Sequence, residues 1–144
     1  IRQICDYRAG IVFTQPPPPD ATATRTSRQW LGADGIIREW DFPDLAQNLA
    51  DARENILAVV QVAAGSRRPL LVDMSEVKAI SRDARVYYAS EEVGKVISAV
   101  ALLVASPLSR AIGNFFLGFN KAAVPIRLFT NEPDAQAWLK EYLP

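Results

Sequence analysis

A regular alternation of strand-like and helix-like segments begins near Arg28 and constrains the fold more than any other feature of the sequence. Residues 29–31 and 36–40 are predicted to be two short strands, because the turn between them contains Gly32 and the Asp34-Gly35 pair, which suit a tight hairpin. Apolar residues then repeat at intervals of three and four, which predicts a helix with one continuous apolar stripe. The stripe consists of Leu45, Leu49, Ala52, Ile56, Val59, Val60 and Ala63.

Three strand–helix pairs follow this first helix. The strands are predicted over residues 70–72, 99–104 and 124–129. The helices are predicted from Ser81 to about Val93, from Ser106-Pro107 onward, and from about Glu132. This order predicts a single α/β domain with an open, mixed, mostly parallel sheet of about five strands and about four helices.

Residues 1–27 differ in composition from the rest and are predicted to be a tail or linker, which leaves residues 28–144 as the folded domain. Four consecutive prolines at 16–19 favour an extended polyproline segment. Residues 11–14 have a strand-like composition. The polyproline segment either acts as a spacer or docks on an aromatic groove of a partner.

Charge and composition exclude several classes of function. The chain has 144 residues, of which 16 are basic and 16 acidic. Its net charge is therefore zero, and no overall positive potential favours nucleic-acid binding. It has no His, the commonest general base and metal ligand, and neither metal-ligand spacing nor a Gly-rich phosphate loop is present. We therefore expect no enzymatic activity, no metal and no cofactor.

The sequence also predicts a cytoplasmic protein without a membrane span. The longest uncharged apolar stretch, residues 96–105, has ten residues, whereas a membrane-spanning helix needs about 20. The single Cys5 cannot form an internal disulfide, which fits a reducing compartment. No signal peptide is recognisable, although the first residue, Ile1, favours a fragment or an unseen leader.

The segment Val72-Asp73-Met74-Ser75-x-Val77-x-x-Ile80, followed by a helix start at Ser81, resembles the strand and switch helix of anti-sigma-factor antagonist (STAS) domains. The element order over residues 28–144 resembles the same family. The patterns at residues 69–74 and 135–139 are similar to those of a group of uncharacterised bacterial STAS-like proteins.

The resemblance implies a regulatory module that binds another protein, here through Asp73, Ser75, Ser81, Asp83 and Arg85, and that forms a homodimer. STAS domains are regulated by phosphorylation of a Ser at the helix start, and the matching position is Asp83. Its carboxylate carries one negative charge where a phosphoserine carries about two. Asp83 is therefore either a permanent partial mimic or simply a favourable charge near a helix N-terminus.

Two other groups of residues are candidate binding sites. Ser106, Ser109 and Arg110 begin a helix at the carboxyl edge of the sheet, where an anion could bind. The alternative is that Ser106 only caps its helix.

The second group is the apolar segment 112–119, in which Phe115, Phe116 and Phe119 are candidates for contact with a partner or a second copy. The alternatives are a helix buried on two sides, or a small cavity for an apolar ligand, as in the related CRAL-TRIO lipid carriers. A domain that binds a small ligand (an anion, a nucleotide or a lipid) is therefore the second functional hypothesis.

Overall fold

The computed structural model describes residues 13–117 and 122–144. Their main sheet has six strands in the order β1-β2-β3-β5-β7-β8. β2 is antiparallel to both of its neighbours, β1 and β3, whereas β3, β5, β7 and β8 are parallel. The strands of this sheet are β1 (Thr22–Ala23), β2 (Ser27–Leu31), β3 (Ile37–Asp41), β5 (Arg68–Asp73), β7 (Ile97–Leu103) and β8 (Ile126–Phe129).

The mixed, mostly parallel α/β architecture is therefore as predicted, but the sheet has six strands rather than five. The additional strand, β1, has only two residues, which is too short for an alternating pattern to indicate it. A separate two-stranded pair joins β4 (Ala46–Gln47) to β6 (Ala79–Ile80) in parallel. This pair ties the loop before the first helix to the loop before the second.

Four helical segments accompany the sheet, and the second is split in two. The helices are α1 (Leu49–Val62), α2 (Arg82–Tyr88), α3 (Glu91–Gly94), α4 (Pro107–Leu117) and α5 (Glu132–Leu139), with a 3₁₀ turn at Lys140–Tyr142. The sequence predicts one helix from Ser81 to about Val93, but it breaks at Ala89. Ser90 then caps α3, because its side chain accepts a hydrogen bond from the Val93 amide.

The first helix begins later than its apolar stripe suggests. Leu45 precedes β4, and Asn48 caps α1 through reciprocal hydrogen bonds with Asp51. After Val62 the chain leaves the helix through Ala64 and Gly65, which have φ angles of 56° and 80°. Glycine adopts this left-handed conformation without strain, so the helix ends where the sequence predicts.

The sheet separates two apolar clusters. One face packs against α1, α2, α3 and α4, and its buried residues include Ile37, Val72 and Phe116. The other face packs against α5 and includes Trp40 and Leu139. Each face of the parallel strands is thus covered by helices, which agrees with the nearly continuous apolar sequences of β5 and β7.

The segment before β2 is attached to the domain by several contacts. Thr14 donates two hydrogen bonds, from its amide and its hydroxyl, to Glu132 Oε1, both at 2.8 Å. Arg25 forms an ion pair with Asp51 on α1 at 2.6 Å. Phe13 is buried, and neither it nor Thr14 belongs to a strand, while Ile11 and Val12 lie outside the described residues.

Candidate functional site

The loop that follows β5 is built by Asp73 and Ser75. The Asp73 carboxylate accepts hydrogen bonds from the Ser75 amide at 3.0 Å and from the Ser75 hydroxyl at 2.6 Å. Both side chains are buried, and the apolar residues Met74 and Val77 anchor the same loop in the core. Asp73 and Ser75 therefore fix the conformation of the loop from inside the protein.

The start of α2 is exposed. The Ser81 hydroxyl accepts a hydrogen bond from the Ala84 amide at 3.2 Å, so Ser81 is the N-cap that the sequence predicts. Asp83 lies in the first turn with its side chain in solvent. A carboxylate at this place is favourable because the first turn of a helix carries a partial positive charge.

Arg85, the last of the candidate residues that the sequence analysis placed at α2, faces α4. The guanidinium carbon of Arg85 lies 3.5 Å from the centroid of the Phe115 ring, which is a cation–π contact. Both side chains are half-buried. The contact joins α2 to α4, whose candidate residues the sequence analysis treated as two separate groups.

The three phenylalanines of the aromatic segment have different surroundings. Phe116 is 6% exposed and belongs to the core, so it is not available to a partner. Phe115 is half-buried under Arg85, and Phe119 lies outside the described residues. The exposed apolar side chains of this region are instead Val86 on α2 and Leu108 and Leu117 on α4.

Ser106 and Ser109 use most of their hydrogen bonds on the start of α4. Ser109 is fully buried, and its hydroxyl accepts from the amides of Ala105 and Ser106 at 3.0 Å. The Ser106 hydroxyl accepts from the Ser109 amide at 3.0 Å. Arg110 is exposed and lies at an open cleft with Thr130 and Asp134. The two hydroxyls thus serve as caps, which is the alternative that the sequence left open.

A second polar cluster lies inside the domain, where the sequence predicted no site. Glu39 and Asp41 on β3 are each 4% exposed and lie on the sheet face that packs against α1. Gln29 on β2 donates to Glu39 Oε1 at 3.0 Å. The Tyr88 hydroxyl of α2 donates to Gln47 Oε1 at 2.7 Å and accepts from Asn55 at 3.0 Å.

These polar residues form one end of a cavity of about 50 Å³. The rest of its wall is apolar and comes from three parallel strands and the surrounding helices. The cavity is lined by Glu39, Asp41, Gln47 and Tyr88 at the polar end and by residues such as Leu70, Val72, Met74, Leu102 and Phe116 elsewhere. Phe116, predicted as a surface contact, is therefore part of this wall.

The two buried carboxyl groups lie close enough to affect each other's protonation. Burial raises the pKa of Glu39, although hydrogen bonds from Asp41 and Gln29 oppose the change. Burial, together with the charge of Glu39, raises the pKa of Asp41 well above its usual range. Burial also raises the pKa of Tyr88. The pair therefore holds a proton at a pH where exposed carboxyl groups have lost theirs.

The alternation of side chains in β3 was the available signal for this cluster. Ile37, Glu39 and Asp41 must share one face of the strand because side chains alternate with a period of two. An inward-facing Ile37 therefore places both carboxyl groups inside.

No cluster of three or more metal-ligating side chains occurs within residues 13–117 and 122–144. Within the same residues, no helix is long and apolar enough to span a bilayer.

The chain matches a family model described as a domain of unknown function (DUF7793) over residues 30–143. It also superposes on the crystal structure of an uncharacterised protein of the DUF3478 family, with a SpoIIAA-like fold, from Shewanella loihica PV-4. The TM-score is 0.56 at 16% sequence identity, and the alignment covers 82% of this chain and 98% of that one. No curated protein shows significant similarity. The structural likeness establishes a SpoIIAA-like, and thus STAS-like, fold.

Proposed function

We propose that this chain, which belongs to the DUF7793 family, is a non-enzymatic regulatory module that binds another protein. The binding site is the α2–α4 surface, defined by Arg82, Asp83, Arg85, Val86 and Phe115. The observation that carries the proposal is the contact of the Arg85 guanidinium with the Phe115 ring, 3.5 Å from its centroid. It holds a cation and an aromatic ring at the surface between two helices.

Arg85 is suited to bind an acidic group of the partner. None of the ion pairs among the described residues includes it. A guanidinium that is already desolvated on one side by an aromatic ring loses little hydration when a carboxylate approaches. Arg and aromatic residues also supply much of the binding energy in protein interfaces.

The rest of the α2–α4 surface favours an apolar contact beside this charge. Arg82, Asp83 and Val86 are exposed and lie on one side of α2, because residues three and four apart are neighbours on a helix. Val86 is 48% exposed. We therefore infer that the partner presents an apolar side chain next to an acidic one, and that Asp83 selects against partners with a misplaced acidic group.

The resemblance of residues 72–80 to STAS domains supports the same location, since their regulatory Ser begins the corresponding helix. In this chain Asp83 would supply a constant negative charge there. Regulation by a kinase at this position is then replaced by regulation through the amount or the state of the partner.

The test is affinity capture from the native cell extract, with Asp83→Arg and Arg85→Glu variants beside the unaltered protein. Glu141→Arg is the matched control, because it reverses one exposed acidic charge on the 3₁₀ turn after α5. We expect a partner that is retained by the unaltered protein and by Glu141→Arg and is lost with both α2 variants. Equal capture by all four proteins would refute the proposed surface.

We also propose that the module is a homodimer, as the STAS resemblance implies. Sedimentation equilibrium of the purified protein tests this. A monomer at all accessible concentrations would overturn it, whereas a dimer disrupted by Val86→Glu would indicate that the second copy uses the α2–α4 surface.

A further inference from the structure

The buried carboxyl groups of Glu39 and Asp41 have more acceptor capacity than the protein uses. They lie two residues apart on β3 and face the interior cavity. Gln29 and Gln47 hydrogen-bond to the pair, and the two carboxyl groups hydrogen-bond to each other. One oxygen, Asp41 Oδ1, is buried without a hydrogen-bond partner in the described part of the chain. A buried acceptor left without a donor is unfavourable, so this oxygen favours a guest that donates a hydrogen bond.

No cation of the described chain compensates the pair. The ion pairs that the described residues form are Arg25–Asp51, Arg38–Asp34 and Arg38–Glu132, and none includes Glu39 or Asp41. The other titratable groups that act on the pair are Tyr88 on α2 and Asp73 on β5, neither of which is cationic. The polar end of the cavity therefore favours a positively charged or hydrogen-donating guest.

We propose that the cavity is a binding site for a short alkylammonium ion, with the ammonium group between Glu39 and Asp41 and the hydrocarbon against Val72 and Phe116. An ammonium group donates up to three hydrogen bonds and accepts none, which matches a set of carboxylate acceptors. Asp41 Oδ1 receives one of these bonds. The apolar wall receives the hydrocarbon part, which distinguishes the guest from an inorganic cation.

The size of the cavity limits the guest. Its volume of about 50 Å³ is well below the volume of about 150 Å³ that admits benzene in another protein. Ethylammonium is of suitable size, and longer chains require α4 to move outward at Phe116. The affinity should therefore decrease as the chain is extended.

Binding should release a proton. Burial raises the pKa of both carboxyl groups, so the pair keeps a proton to a higher pH than exposed carboxyl groups do. The ammonium charge stabilises the ionised pair, so the proton leaves to solvent as the cation enters. One cation enters as one proton leaves, so the net charge of the site is unchanged and no covalent step is involved.

Calorimetric titration with ethylammonium chloride, in two buffers of different ionisation enthalpy, tests the site. We expect saturable binding with proton release and no binding of ethanol, which has the same hydrocarbon part without the charge. Asp41→Asn and Glu39→Gln should each weaken the affinity for ethylammonium at least tenfold. Glu141→Arg, which reverses an exposed charge on the 3₁₀ turn away from both proposed sites, should leave this affinity unchanged.

Three results would overturn the proposal. The first is the absence of saturable ethylammonium binding to the unaltered protein. The second is equal affinity of the unaltered protein and the folded Asp41→Asn and Glu39→Gln variants, as judged by circular dichroism. The third is binding of ethanol as tight as that of ethylammonium, which would show an apolar cavity whose carboxyl pair is satisfied by internal water.

Discussion

Arg85 on α2 and Phe115 on α4 are 30 positions apart in the sequence but are in contact in the structure. The guanidinium carbon of Arg85 lies 3.5 Å from the centroid of the Phe115 ring. Arg85 lies in the middle of α2, and Phe115 lies in the last turn of α4. A displacement of α2 by a partner would therefore act directly on α4, whose neighbouring Phe116 lines the interior cavity. The two proposed sites thus share one helix.

The Arg85–Phe115 contact should contribute measurable stability. In a double-mutant cycle with Arg85→Ala and Phe115→Leu, we expect a coupling energy of about 0.5–2 kcal/mol, because a half-buried cation–π pair lies between the exposed and desolvated limits. Urea unfolding of the four proteins measures it. The cycle of Arg110→Ala with Phe115→Leu is the control and should be additive, since Arg110 is exposed. Equal coupling in both cycles would contradict the specific contact.

Gly113 on α4 is expected to respond to the side chain that packs on it. A Cβ atom at this position would lie 2.7 Å from Leu128 Cδ2 and 3.3 Å from Val104 Cγ1. In the Leu128→Ala background, Gly113→Ala should stabilise the protein by about 1 kcal/mol, because Ala is the better helix former. In the unaltered background, the displacement of Leu128 should cancel or reverse this gain.

Thermal or urea unfolding of the single and double variants at Gly113 and Leu128 compares the two backgrounds. If the stability changes caused by Gly113→Ala and Leu128→Ala were additive, α4 and β8 would not be packed as closely as they are in the structure.

Glu132 is expected to hold both the N-terminal segment and the hairpin to α5. Its Oε2 accepts from Arg38 Nε at 2.9 Å, while its Oε1 accepts the two bonds from Thr14. Burial alone would raise the pKa of Glu132, but the hydrogen bonds from Thr14 and Arg38 outweigh it and lower the pKa. Replacing Glu132 by Ala leaves Arg38 buried with one partner fewer, and we expect a loss of about 3 kcal/mol.

Two measurements separate the roles of Glu132. Urea unfolding gives the loss of stability, and limited proteolysis should show faster cleavage between residues 14 and 24 in Glu132→Ala. Thr14→Val should reproduce the faster cleavage with a smaller loss of stability. Glu141→Ala removes an exposed carboxylate and serves as the control. Unchanged cleavage in Glu132→Ala would show that the segment is held by other contacts, such as that of Phe13 with Trp30.

The fold could be predicted because its longer elements carry strong periodic patterns. The α1 stripe and the apolar strands β5 and β7 indicated an α/β sheet, and the SpoIIAA-like fold confirms that class. The shorter elements could not be predicted. Strands β1, β4 and β6 have two residues each, so their pairing depends on tertiary contacts.

The interior site was harder to predict than the surface loop. A sequence motif indicated Asp73, Ser75 and Ser81, and these residues do build the loop and the cap. The sequence analysis assigned no role to Glu39 or Asp41, and charged residues are rarely buried. Their burial depends on α1 and α2 covering that face of the sheet, which no local pattern contains.

The carboxyl pair should make the stability of the protein decrease as the pH rises above about 4, where carboxyl groups of the unfolded chain lose their protons. Burial and the charge of Glu39 raise the pKa of Asp41 in the folded protein. Above the pKa of the unfolded chain, the folded state therefore binds more protons than the unfolded state, and the free energy of unfolding falls with pH. The slope is at most about 1.4 kcal/mol per pH unit for each group.

Three other carboxyl groups, those of Asp34, Asp51 and Glu132, affect the pH dependence of stability in the opposite direction. Hydrogen bonds and ion pairs lower the pKa of each, against the effect of burial. Their contribution to the free energy of unfolding is complete above the pKa that these groups have in the unfolded chain. It is lost only as the pH falls below about 4. Urea unfolding from pH 5 to pH 7, below the range in which Cys5 and the α-amino group titrate, thus isolates the carboxyl pair. We expect Asp41→Asn to flatten the decrease with pH, while Asp83→Asn, which alters an exposed carboxylate, retains it. The same slope in all three proteins would place the coupled proton elsewhere and remove the basis for proton release at the cavity.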